Sequence, residues 1–215
     1  MNTNTLVAIA LYSTLATVHA QEIPADINPA SGARIPHLSR VELGNEGKPL
    51  ADIFNPGSGR DDPLTGPAAY AAYNIPVAKA LVALHDGAIS GTLDVLTREV
   101  ATLVACRETN YELEWYGHVR SATKAGLDAN VIDVIEHNKP VSGLDPRDAA
   151  VIQFGREMLR DRQMSSATFA NAKELFGTRG AMDLVAVMIT YAASGYYAIA
   201  VDEHLPGLAQ LPPIK

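Results

Sequence analysis

The stretch that decides the fold lies at residues 93–125 and reads LDVLTREVATLVACRETNYELEWYGHVRSATKA. Its apolar residues recur at the spacing of helix faces, which predicts two successive helices over residues 93–107 and 111–125. Glu99 lies on the first helix among apolar neighbours, where a carboxylate must be paired, hydrogen-bonded or protonated. The second helix places four side chains at i, i+3, i+4 and i+7, and therefore on one face: Tyr111, Glu114, Trp115 and His118.

Helical patterns continue on both sides of this stretch. We predict further helices over residues 68–73, 76–89, 129–136, 146–160, 165–176 and 180–204, and a short helix near residues 46–54. Thr109 and Glu112 have the spacing of a capping box, and Ser165 is placed to begin a helix. Gly126 and Gly177 are placed to end helices. No run alternates as a strand does, so the predicted fold class is all-α.

The chain divides into four segments by composition. Residues 1–20 carry no charge and end in Val18-His19-Ala20, with small residues at −3 and −1, which predicts a signal peptide and a periplasmic or secreted protein. This segment lacks basic residues, and the alternative is a buried or disordered N-terminal segment. Residues 21–66 are rich in proline and predict an irregular arm, with a plain turn at 55–60. Residues 67–206 form the helical domain, and 207–215 a tail.

Charge and cysteine content exclude several classes of function. The net charge of −7, with no cluster of Lys and Arg, argues against a nucleic-acid partner. Cys106 is the only cysteine, so a disulfide within the chain is excluded. A buried thiol is the expected state of Cys106, with a nucleophile beside Arg107 as the alternative. Residues 184–201 are uncharged but include Thr190 and Ser194, which favours the centre of a bundle over a membrane span.

The shared helix face predicts acid/base chemistry. A carboxylate beside His118 would fix its tautomer and raise its pKa, and either Glu99 or Glu114 could be that partner. Glu114 and His118 at i, i+4 could instead be two metal ligands, but no metal-binding spacing supports this, and we predict no metal and no cofactor. Trp115 either walls a pocket or is a core aromatic. The structural alternative is that Glu99 and His118 only bond each other in the core.

Residues 66–206 resemble the carboxymuconolactone decarboxylase family of the alkylhydroperoxidase D-like superfamily. The resemblance is carried by residues 96–105 and 111–120, supported by Ala125-Gly126-Leu127 and by residues 144–151. Peroxidases of this superfamily place two cysteines where this chain has Tyr111 and Glu114, so thiol peroxidase chemistry is not expected. Glu99 and His118 match the outer pair of that motif, and the decarboxylase-like branch also lacks the cysteines.

The resemblance implies a helical bundle that forms a homotrimer or hexamer and acts on a small molecule. It implies a lyase that removes CO2 from a carboxylated lactone or a related unsaturated acid. His118 would be the proton donor, oriented by Glu99 or Glu114, and Tyr111 would hydrogen-bond the enolate. Arg98 or Arg120 would hold a carboxylate, with Arg34 as a weaker candidate. An isomerase, hydratase or cyclase using the same pair, or a non-catalytic binding or assembly protein, remains the alternative.

Overall fold

The structure, a computed structural model, describes residues 23–54, 57, 59, 61–66, 69–205, 207 and 209–214. Within these residues the chain forms seven α-helices and no sheet, so the predicted all-α fold is confirmed. Strand-like pairing in the described residues is limited to two isolated bridges, Asn28 with Ala33 and Ser39 with Pro63. The predicted signal peptide and most of the predicted turn at 55–60 lie outside the described residues.

The helices follow the predicted segments closely. In chain order they are α1 (Gly44–Phe54), α2 (Ile75–Ile89), α3 (Val95–Glu108), α4 (Glu112–Ala125), α5 (Ala129–Glu136), α6 (Pro146–Gly155) and α7 (Ser166–Val201). The helix predicted over 68–73 is wrong in type, since only a 3₁₀ turn forms at Ala71–Tyr73. Asn74 follows this turn at once and begins α2, its side chain accepting a hydrogen bond from the Val77 amide.

Helix α3 is the centre of the bundle and packs against α4, α6 and α7. Every residue from Val100 to Arg107 is buried, so this part of α3 has no solvent-facing side. A helix that is covered all round forms the core of a bundle rather than its surface. Glu99 lies just before this buried stretch, on a helical turn of α3 that packs against α4.

Side chains at the helix ends explain where the helices begin. The Asp94 carboxylate accepts from the Thr97 amide over 2.9 Å and begins α3. The predicted start at Ser165 is confirmed, since its hydroxyl accepts from the Thr168 amide over 3.1 Å. Gly126 ends α4 at φ 94°, a left-handed conformation that favours glycine, as predicted.

The predicted capping box at Thr109 and Glu112 is wrong. Thr109 ends α3, and its hydroxyl donates to the carbonyl of Ala105 over 2.9 Å instead of capping α4. Tyr111 occupies the position before α4 and makes no side-chain cap. Thr109 therefore belongs to the C-terminus of α3, because the connection between α3 and α4 is too short for a separate cap.

The predicted helix over 146–160 changes its geometry part of the way along. It is α-helical to Gly155 and continues as a π-helical turn over Arg156–Asp161. Gly155 lies where α6 crosses α3 and α7, and a Cβ atom there would overlap Val104 and come within 2.9 Å of Met188. The missing side chain allows the three helices to approach closely.

Helix α7 is interrupted at Gly177, where φ is 73° and ψ is 170°. The interruption agrees with the two separate helices predicted over 165–176 and 180–204. By length and composition α7 could cross a membrane, with a mean hydropathy of 1.7 over its most apolar window, but half of that window is buried inside the chain. Helices that lie at the centre of a bundle have the same composition.

The arm is fixed to the C-terminal end of α7. The Arg34 amide donates to the carbonyl of Val201 over 2.8 Å, and the His204 amide donates to that of Gly32 over 2.7 Å. The Arg34 side chain lies 3.0 Å from carboxylate oxygens of both Asp26 and Asp202. The arm therefore packs on the helical domain as part of the same fold.

Candidate active site

The candidate site is built where α3 and α4 pack side by side. Glu99 lies on the second turn of α3, and Glu114 and His118 lie one turn apart on α4. Residues at i and i+4 of a helix project in the same direction, so α4 presents a carboxylate and an imidazole together. The packing of α3 on α4 then brings Glu99 to the same imidazole.

His118 lies between two carboxylates. Its Nδ1 is 2.8 Å from Oε2 of Glu99, and its Nε2 is 3.3 Å from Oε2 of Glu114. The side chains are only partly exposed, at 19% for His118, 16% for Glu99 and 14% for Glu114. The sequence left open which glutamate pairs with His118, and the geometry shows that both do, the Glu99 contact being the shorter.

The pKa of His118 reflects this arrangement. Burial alone would lower the pKa, but the hydrogen bonds to Glu114 and Glu99 and their negative charges outweigh it and raise the pKa from 6.5 to about 9. His118 is therefore an imidazolium at neutral pH, with both ring nitrogens protonated. Each N–H donates towards a carboxylate oxygen.

A cavity of about 320 Å³ opens beside this cluster. Glu114 and His118 line it, whereas Glu99 does not and lies behind the imidazole. The remaining walls come from α1, α2 and α7: Ile53, Leu81, Val82, His85, Asp86, Thr190, Tyr191 and Ser194. A small molecule in the cavity would meet Glu114 and His118 directly and Glu99 only through His118.

Tyr191 forms part of the cavity wall next to His118. Its ring lies edge-on to the His118 imidazole with centroids 4.8 Å apart, and it lies 6.3 Å from the ring of His85. Burial and the neighbouring Glu114 carboxylate raise the pKa of the Tyr191 phenol. Tyr191 therefore stays neutral and restricts the orientation of the imidazole.

Tyr111 lies at a second cavity, of about 640 Å³, between the start of α4 and the end of α7. Burial and the carboxylate of Glu203 raise the pKa of its phenol. Tyr111 precedes α4 with an extended backbone, so it does not continue the helix face that carries Glu114 and His118. Tyr111 thus lies at a different cavity from the one that Glu114 and His118 line.

The other predicted binding residues also lie away from the cavity lining. Trp115 is 1% exposed and belongs to the hydrophobic core, in agreement with the core alternative. Arg98 donates to the carbonyl of Leu93 over 3.1 Å, and Arg120 is exposed to solvent. The positions of Arg98 and Arg120 do not fit the predicted role of holding a carboxylate within this chain, and Arg34 is paired in the arm.

The sequence left two further roles open, a nucleophile at Cys106 and a metal site at Glu114 and His118, and the geometry bears on both. Cys106 is buried, and burial raises the pKa of its thiol well above its usual value, which fits the expected buried state rather than a nucleophile. Among the described residues no group of three His, Cys, Asp or Glu side chains is placed to hold a metal ion. His137, which directly follows α5, lies 3.1 Å from Oδ1 of Asp133 on that helix.

Sequence reasoning missed the wall formed by α2 and α7. The sequence did hold a partial signal for this wall, because Thr190 and Ser194 are polar residues within the uncharged stretch 184–201 and both line the cavity. His85 and Tyr191 gave no such signal, since their approach to His118 depends on how α2 and α7 pack.

No protein-family model matches the chain, and no curated protein matches it. The resemblance to the carboxymuconolactone decarboxylase family therefore stays a prediction.

Proposed function

We propose that this protein is a cofactor-free acid/base enzyme that moves a proton at a carbon atom conjugated to a carbonyl group. The observation that supports this most is His118, held as an imidazolium between Glu99 and Glu114 at the wall of a cavity. A proton donor and a carboxylate base that touch the same small-molecule space are the two groups that such a reaction needs.

The division of roles follows from position. The Glu114 carboxylate lines the cavity and accepts the proton when a carbon–hydrogen bond of the substrate breaks. The electron pair of that bond moves onto the carbonyl oxygen, and the resulting enolate is stabilised by a hydrogen bond from Nε2–H of His118. Glu99 is a positioning residue, because it holds Nδ1–H and keeps Nε2–H directed at the cavity. Return of the proton to a different carbon completes an isomerisation.

The same groups serve a decarboxylase-like lyase. There the electron pair of a carbon–carboxylate bond forms the enolate as CO2 leaves, and the acid then protonates carbon. The resemblance of residues 66–206 supports this lyase. The isomerase is the second candidate, and it is supported by the cavity lining, which includes no Lys or Arg among the described residues to bind a substrate carboxylate.

Proton exchange in D2O tests the proposal. The full chain is incubated with 4-carboxymuconolactone and with the methyl ester of muconolactone, while NMR follows deuterium bound to carbon and the release of CO2. We expect wild type to catalyse exchange or CO2 release, and Glu114→Gln and His118→Gln to slow it by about 10²–10⁴-fold.

His137→Gln is the matched control. His137, at the C-terminal end of α5, faces Asp133 at i, i+4 as His118 faces Glu114, but the pair is exposed and outside the cavity. This variant is expected to retain the full rate. Equal rates in wild type and His118→Gln, with both proteins folded, would contradict the proposed function.

A further inference from the structure

We infer that the substrate of this cavity is a small uncharged carbonyl compound that carries no carboxylate of its own. This inference rests on the proposed acid/base function and names the chemical class on which the site acts. It departs from the carboxylated lactone that the family resemblance implies and favours the isomerase over the lyase, because decarboxylation needs a carboxylate on the substrate. Three features of the cavity carry it: its charge, its hydrogen-bond donors and its apolar wall.

The charge of the cavity is negative. Glu99 and Glu114 each contribute −1 and the His118 imidazolium +1, so the cluster has a net charge of −1. Asp86 adds a further negative charge at the rim, next to His85. No Lys or Arg is among the described residues of the lining. A substrate carboxylate would meet a net negative charge, because the one cation of the cluster, the His118 imidazolium, is already paired with Glu99 and Glu114.

Two arginines of α3 are held elsewhere by their own contacts, and Arg120 on α4 is exposed to solvent. Arg98 is bound to the carbonyl of Leu93 at the start of α3. Arg107 lies in the core, where it donates to the carbonyls of Glu136 and Pro212. Redirecting Arg107 would leave those partly buried carbonyls unpaired, which is costly. The chain therefore has no spare buried cation for this cavity among these residues.

The donors that remain suit a neutral carbonyl oxygen. The hydroxyl of Ser194 lies at the cavity and forms no hydrogen bond within the described part of the chain. The Thr190 hydroxyl donates to the carbonyl of Ala186 over 2.7 Å, so it can only accept from a ligand. Ser194 and Nε2–H of His118 can therefore hold a carbonyl oxygen.

The opposite wall is apolar and the space is small. Ile53, Leu81 and Val82 form this wall. A volume of about 320 Å³ lies at the lower end for small-molecule sites, which suits a single ring with a short substituent. An apolar wall facing a few donors favours a lactone or an unsaturated ketone over a dicarboxylate.

A matched pair of ligands tests the inference. Muconolactone and its methyl ester share one ring and differ by a single negative charge at pH 7. Their dissociation constants are measured by calorimetry on the full-length chain, and the His118 imidazole signals are followed by NMR. We expect the ester to bind at least about tenfold more tightly than the acid. Added salt is expected to bring the ratio of ester affinity to acid affinity closer to one, because it screens the repulsion between the acid and the negative cavity.

Two variants identify the source of the preference. Glu114→Gln removes a negative charge from the cavity wall and is expected to narrow the ratio of ester to acid affinity. Asp133→Asn removes a carboxylate on α5 outside the lining and is expected to leave the ratio unchanged. Equal affinities, tighter binding of the acid, or binding of neither ligand would overturn the inference.

The proposed function and this inference fail in different ways. If the ester binds and shifts the His118 signals but no carbon-bound hydrogen exchanges, the proposed function fails while the substrate class stands. If the acid binds as tightly as the ester and exchanges as fast, the substrate class fails while the function stands.

Discussion

At the scale of single residues, His118 keeps its proton because negative charge faces both nitrogens of its ring. Glu99 contacts Nδ1 at 2.8 Å and Glu114 contacts Nε2 at 3.3 Å, and the longer contact is the one at the cavity. A substrate oxygen can therefore replace Glu114 at Nε2 while Glu99 continues to hold the ring. The imidazole is fixed on one side and available on the other.

The charge on His118 makes stability depend on pH. Its pKa rises from 6.5 to about 9 in the folded chain, so the proton is bound more tightly after folding. This stabilisation is complete below pH 6.5 and is lost as the pH rises through 9. We expect the free energy of unfolding to fall by on the order of 3 kcal/mol between about pH 6 and pH 10. Urea denaturation across this range measures it.

The corresponding control is His118→Gln, which cannot titrate. Subtracting its stability profile from that of wild type removes the contributions of Cys106 and the tyrosines. If the difference in the free energy of unfolding between wild type and His118→Gln does not change from pH 6 to pH 10, the carboxylates do not hold the proton on His118.

The two glutamates are expected to differ in their effect on catalysis. Glu114 lines the cavity, so Glu114→Gln should remove the base and lower kcat by about 10²–10⁴-fold. Glu99 lies behind the imidazole, so Glu99→Gln should lower the pKa of His118 and move the loss of activity at high pH to a lower pH. Steady-state rates from pH 6 to pH 10 distinguish these outcomes. An unchanged pH profile for Glu99→Gln would contradict its positioning role.

At the scale of helices, the close approach of α6 to α3 and α7 depends on Gly155. Gly155 has ordinary helical angles, φ −68° and ψ −39°, but Val104 and Met188 leave no space for a Cβ atom. Gly155→Ala should therefore destabilise the chain by about 1–3 kcal/mol through overpacking. Thermal or urea unfolding measures the change.

Gly87→Ala is the matched control for this substitution. Gly87 lies inside α2 with nothing within 4 Å of an added Cβ atom, so alanine should stabilise the helix by up to about 1 kcal/mol. Destabilisation of similar size in both variants would show that Gly155 is not limited by packing against Val104 and Met188.

Sequence periodicity predicted the helices well but could not supply their packing. The bounds of α5 and the interruption at Gly177 agree with the sequence, because apolar spacing and glycine are local signals. Glu99 and His118 could be singled out from local signals too, since Glu99 is a carboxylate among apolar neighbours and His118 shares a helix face with Glu114. The contact of His118 with Tyr191, and the position of Tyr111 at another cavity, depend on residues distant in sequence.

At the scale of the whole molecule, the N-terminal arm and the C-terminal tail both close onto the helical domain. Arg107 is 1% exposed and donates to the side chain of Asn110 and to the carbonyls of Glu136 and Pro212. The Leu211 amide donates to Glu112 at the start of α4. These contacts fix residues 209–214 against α3, α4 and α5.

We expect Arg107→Met to destabilise the chain by about 3 kcal/mol, because it leaves the partly buried carbonyls of Glu136 and Pro212 without donors. Urea denaturation measures the loss, and faster hydrogen exchange at Leu211 should accompany it. Arg179→Met is the control, since that side chain is 76% exposed and its nearest carboxylate contact is 3.9 Å, so a change under about 0.5 kcal/mol is expected. Unchanged exchange at Leu211 in Arg107→Met would contradict the role of Arg107 in holding the tail.

The measurement that tests the central claim most directly is the titration of His118 by NMR, with its imidazole signals assigned through the His118→Gln variant. The arrangement between Glu99 and Glu114 predicts a pKa of about 9. It also predicts a lower value in both Glu99→Gln and Glu114→Gln, since each carboxylate contributes. A pKa at or below 6.5 in the wild-type chain would contradict the claim that His118 is a proton donor held between two carboxylates.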